Sequence, residues 1–168
     1  MPTNIYMIFV AALIPFLLGA IWYGPLFEKP WMKANGFTKE TLEKGNMAVI
    51  FGVSYLMMVL FSFAMSGYAI HQTSVWGLFM PEVQEVGSAI HADTVEFMQK
   101  YGDRHRTFGH GAAHGMIFAI FFALPIISVI SLFERRGWKY VMIHFGYWLL
   151  TSVLVGGLLC ATLKFPAL

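Results

Sequence analysis

The stretch from Met47 to Ile70, MAVIFGVSYLMMVLFSFAMSGYAI, decides the architecture. It contains no Asp, Glu, Lys or Arg. Wound as an α-helix it would be about 36 Å long, enough to cross the roughly 30 Å hydrocarbon core of a bilayer. In that core each backbone N–H and C=O needs a partner within its own segment, and a helix supplies one. Three further stretches share this character: Ile5 to Tyr23, His110 to Phe133 and Tyr140 to Leu163. The 11 Lys and Arg and the 9 Asp and Glu all fall outside these four stretches, Lys164 lying just past the last. The chain therefore reads as all-α, a polytopic membrane protein with four transmembrane helices in two hairpins. The whole of 1–168 forms one four-helix transmembrane domain in this reading. Residues 71–109 form an extramembrane segment that is partly helical, with a helix expected to open at Pro81-Glu82 and to carry an apolar stripe of Val83, Val86, Ile90, Val95 and Met98.

Composition agrees with that partition. Only 12% of the 168 residues are charged, about half the share of a soluble domain, which is too few to clothe a water-facing surface. Mean hydropathy is +0.65. The first span lacks the positive leading region of a cleaved signal peptide, because it is preceded by Met1-Pro-Thr-Asn only. A net charge of +2 with no basic cluster gives no nucleic-acid footprint. A single cysteine, Cys160, excludes an internal disulfide.

Loop charges set an expected orientation. Lys29, Lys33, Lys39 and Lys44 follow the first span, and Arg135, Arg136 and Lys139 follow the third. Basic loops favour the cytoplasm, so both termini are expected outside, on the outer side of a bacterial inner membrane. Trp22, Tyr23, Trp31 and Trp138 then form an aromatic belt at the inner face.

Spans one and three carry similar text. Ala12-Leu13-Ile14-Pro15 is followed by Leu26-Phe27-Glu28-Lys29, and Ala123-Leu124-Pro125 by Leu132-Phe133-Glu134-Arg135. The pattern suits two repeated hairpins, and equally suits independent use of a mid-helix proline and a charged inner end. Either way Pro15 and Pro125 each remove a backbone hydrogen bond, which predicts two kinks. Gly111 and Gly115 in span three, Gly146, Gly156 and Gly157 in span four, and Ser62 and Ser66 in span two are the expected contact residues between helices. They serve either the bundle or a homo-oligomer.

The topology gathers five of the six histidines, His71, His91, His105, His110 and His114, toward one side. His110 and His114 are four residues apart on one helix face, a spacing that brings two imidazoles to one ion. His71, His91, His105 and Asp103 are candidate further ligands, with Asp93 and Glu96 nearby. Zinc or copper suits such donors, and haem held by His114 and His71 is a second option. Gly111-Ala112-Ala113 fills the gap between the paired histidines, so the acid of a zinc-protease helix is missing. The bland alternative is a set of interfacial histidines in structural hydrogen bonds. His144 opens span four, roughly 20 Å or more away along the helical rise, and cannot join them.

Gly19-Ala20-Ile21-Trp22-Tyr23-Gly24-Pro25-Leu26-Phe27, followed by Trp31-Met32-Lys33 and Gly36, resembles the small bacterial membrane family known as domain of unknown function 1761. The resemblance implies a four-span fold and no activity, so it brings no site residues with it. Three functions stay open on the sequence. One is a non-enzymatic accessory or interaction subunit of a larger membrane assembly, in keeping with the lack of a catalytic constellation. Another is a metal- or haem-binding protein built on the outer histidines. The third is a small transporter of a neutral or lipid-like substrate, since no Asp, Glu, Lys or Arg inside the spans offers a charge relay.

Overall fold

The computed structural model describes residues 3–165, and among them every regular element is helical. Four helices are long and apolar enough to cross a membrane: α1 (Tyr6–Leu26), α4 (Met47–Ala69), α7 (Phe108–Phe133) and α8 (Trp138–Thr162). Short helices α2 (Glu28–Asn35) and α3 (Lys39–Glu43) fill the first connection, and α5 (Gln72–Leu78) and α6 (Ala89–Tyr101) the second. Side chains set several starts by accepting a backbone N–H left free in the first turn. Asn46 does this for α4, Ser88 for α6 and Thr107 for α7.

Helical hydrogen bonding is interrupted just ahead of each of the two prolines. The helix of α1 stops at Ala11 and resumes at Ile14 with Pro15 in the new first turn. α7 widens into a π-helical turn over Ala119–Ala123 and resumes at Leu124, with Pro125 behind it. A proline ring collides with the carbonyl four residues earlier, which for Pro125 is that of Phe121, inside the widened turn. α1 is broken again at its far end, where Trp22–Leu26 is π-helical and Gly24 leaves helical geometry altogether (φ −95°, ψ −112°).

α8 is the hub, touching α7 along its length and α4 and α1 on its other sides, while α4 is the most exposed of the four. The closest approach joins α7 to α8. A Cβ on Gly115 would drive into the Ser152 carbonyl, and one on Gly111 into that of Gly156. Glycines there let two backbones meet, and dispersion and Cα–H···O contacts hold them where lipid gives no hydrophobic drive. These small residues thus belong to the internal bundle. Met65, Ala69, Val155, Leu159 and Cys160 form the core at this end with Ile8 and Ala11. At the opposite end Arg136 donates to the Asn35 carbonyl at 2.7 Å, tying the α7–α8 turn to the end of α2.

A helix opening at Pro81-Glu82 is a natural expectation of the sequence, but the structure has only a 3₁₀ turn at Glu82–Gln84. Gly87 then adopts φ +96° and Ser88 caps a helix starting at Ala89. Val86, which the early start would have placed on an apolar stripe, is 88% exposed.

Candidate metal centre

Three imidazoles converge where α4 ends and α7 begins. Chain geometry at Ile70 turns extended (φ −113°, ψ 101°), which ends α4 and swings His71 across toward α7. His110 and His114 stand on the first two turns of α7. The Nε2 atoms form a triangle: His110 to His71 3.0 Å, His114 to His110 3.1 Å and His114 to His71 3.3 Å. Among the described residues these three make the one group able to hold a common ion.

Neighbours that no spacing rule singles out hold the triangle in place. Gln72, next to His71, donates from Nε2 to the Arg104 carbonyl at 2.9 Å, clamping the start of α5 to the loop before α7. Arg106 anchors that loop to the end of α8, its Nε donating to the Cys160 carbonyl at 2.8 Å and its Nη2 to that of Leu163. These carbonyls belong to the last turn of α8, where a cation is favoured. Burial pushes the Arg106 guanidinium below its ordinary value, with Asp103 acting the other way. The ordinary value lies so far above neutrality that the group stays charged. Tyr68 stands edge-on to His114, ring centroids 5.7 Å apart at 88°.

The remaining candidates fall around the triangle rather than in it. His105, at φ 63°, stacks on His110 with centroids 4.9 Å apart. His91 is turned to the Val83 carbonyl, 2.8 Å from its Nδ1. Asp103 sits in the loop after α6, where its carbonyl accepts from Arg106 N, and supplies no atom to the convergent group. Asp93 lines a separate cleft with Val75 and Phe79. A cleft of about 350 Å³ adjoins the triangle on the His71 side, lined by Gln72, Arg104, His105 and Tyr101 among others. His144 lies toward the far end, 3.0 Å from the Tyr23 hydroxyl.

Hydrogen bonding cannot satisfy this triangle. Each Nε2 is either a donor or an acceptor, and with two roles among three atoms at least one pair must match. Two N–H groups or two lone pairs then face each other at about 3 Å. A cation between them would resolve the conflict, accepting a lone pair from each of the three nitrogens. An ion about 2.0–2.1 Å from each nitrogen in tetrahedral array would hold them ~3.3 Å apart. The observed separations are close to that figure.

This is a four-helix membrane-type fold with a three-histidine cluster at one end of the bundle. A family model described as "Protein of unknown function (DUF1761)" matches residues 6–160, and the chain belongs to that family. No curated protein and no solved structure matches the chain.

Proposed function

We propose that the protein binds one divalent transition-metal ion at one end of its helical bundle through His71, His110 and His114. The observation behind this reading is the triangle of Nε2 atoms, which hydrogen bonds cannot satisfy and an ion can. Three neutral imidazoles suit zinc or copper. They leave a fourth position for water or an exchangeable ligand, as three-ligand sites do. The His114–His71 separation of 3.3 Å is short of the ~4 Å between two axial nitrogens on one haem iron, twice a metal–nitrogen bond. A bare ion is therefore favoured over haem. The convergent group contains no carboxylate to act as a base, which favours binding over catalysis. Neither the accessory-subunit reading nor the transporter reading has a comparable convergence of side chains behind it.

In this reading the chain is one four-span domain with 71–109 outside the bilayer, and the site faces the outer side. The basic residues of the first and third connections support that placement, because they stand at the opposite end. The test is metal analysis of protein stripped with chelator and reloaded with zinc, copper or cobalt. One ion per chain is expected, with the visible absorption of tetrahedral cobalt, and both should vanish in His110→Ala/His114→Ala. Wild-type protein that stays metal-free after reloading overturns the proposal.

A further inference from the structure

The cleft beside the histidine triangle measures about 350 Å³, within the roughly 300–1,000 Å³ range of small-molecule sites. His71 and His105 both line it, their rings 6.4 Å apart and nearly perpendicular. Phe97 and Tyr101, on successive turns of α6 with ring centroids 5.0 Å apart, give it an aromatic wall, and Val75 of α5 adds to the apolar lining. Arg104 reaches the cleft from the loop before α7. Its carbonyl is taken by Gln72, but its guanidinium forms no ion pair among the described residues. No Asp or Glu among those residues lines the cleft. The space is thus cationic at one point and apolar along its walls.

The triangle turns toward this space. Of its three members His71 is the exposed one, and it alone lines the cleft. His114 is backed instead by Tyr68, which stands edge-on to it. Building on the metal reading above, we propose that the cleft binds a small water-borne monocarboxylate with a flat apolar body. One carboxylate oxygen takes the ion's fourth position, and the other accepts from the Arg104 guanidinium. A divalent ion on neutral imidazoles keeps its full charge and Arg104 adds to it, so together they select an anion. The planar fork of a guanidinium matches a carboxylate. The flat body lies against Phe97 and Tyr101, whose rings favour such a neighbour. Phosphate presents more acceptors than one guanidinium serves, and nothing for the aromatic wall to hold.

The test uses full-length protein in detergent, loaded with cobalt in chloride-free buffer, and follows the visible absorption of the ion as benzoate is added. Benzoate should shift the bands saturably and bind about tenfold tighter than acetate, which has the head without the body. Benzyl alcohol, the body without the charge, should not compete. Arg104→Gln should take up cobalt as wild type does and bind benzoate and acetate each about tenfold more weakly. Phe97→Ala should lose the preference for benzoate while keeping the affinity for acetate. Both side chains are exposed, so both variants should fold. A chain that takes up no cobalt overturns the metal reading and this one with it. A cobalt site that forms but ignores benzoate, or that responds equally in Arg104→Gln, overturns this proposal alone. So does one that takes acetate or phosphate as tightly as benzoate.

Discussion

Three imidazole nitrogens within 3.3 Å of one another set a local conflict that shows in stability as well as in binding. Without metal, His71→Ala removes one member of a frustrated triangle and leaves an ordinary hydrogen-bonded pair. The apo variant should therefore melt no lower than apo wild type. Only wild type should gain from metal, by about 2.7 kcal/mol at a hundredfold excess over Kd. In a chain of this size that is ~5–10 °C in Tm, read by thermal scans with and without zinc. The pH dependence has a fixed sign. Imidazoles bind metal only when neutral, so protons displace the ion as pH falls. With three such ligands the affinity should drop by more than tenfold per unit once all three compete with protons, measured by competition with a chromophoric chelator. Arg106 tests the frame around the site. Arg106→Gln loses charge-assisted bonds to the last turn of α8 and should cost about 1.5–3 kcal/mol, with weaker metal binding because the loop before α7 is released.

Among the helices the decisive contacts are those without side chains. Gly115→Ala places a methyl group against the Ser152 carbonyl, and Gly156→Ala places one 2.6 Å from the Gly111 carbonyl. Each should destabilise by about 1–3 kcal/mol, as overpacking does, and should loosen the metal site through the displaced start of α7. Gly52 and Gly67 meet nothing within 4 Å, so their alanine variants should be neutral, or stabilising by up to ~1 kcal/mol from helix propensity. Unfolding in a mild denaturing detergent distinguishes the two classes. How much of this is legible in sequence depends on whether the signal is local. Charge-free stretches reveal four long helices, and Pro15 and Pro125 announce the breaks in helical bonding beside them, because a missing N–H acts on its own turn. The start of α6 is misread from Pro81-Glu82, since the stop signal is a positive φ at Gly87, which residue type alone permits but does not require. The break at Gly24 is equally silent on what it achieves. It lays Trp22 on α8, donating from Nε1 to the Ile143 carbonyl at 3.0 Å, and Tyr23 on His144. The stretch that carries the family resemblance thereby serves a distant helix, and not only the interface.

At the scale of the molecule the two ends differ in kind. One end carries five of the six histidines, and the other carries Lys29, Lys33, Arg135, Arg136 and Lys139. The pair His110 and His114 is visible from spacing alone. Their third partner is separated from His110 by 39 residues, and the clamp that brings it in, Gln72 on the Arg104 carbonyl, uses a backbone acceptor that no sequence pattern displays. Which end faces the cytoplasm follows from membrane energetics rather than from packing. Loops rich in Lys and Arg stay on the side where insertion begins, so the histidine end should face outward and meet the metal available outside the cell. Cysteine labelling checks this, because Cys160 is buried and can be replaced by serine as a silent background. Ala92 and Lys139 are both exposed and stand at opposite ends. Ala92→Cys should react with a membrane-impermeant maleimide in intact cells, and Lys139→Cys only after permeabilisation. The reverse pattern would turn the bundle over and make the site a ligand for cytoplasmic metal. Labelling of both in intact cells would point to a mixed insertion that the modest difference in basic residues, seven against four, fails to prevent. In that case adding Lys to the α7–α8 turn should restore a single orientation.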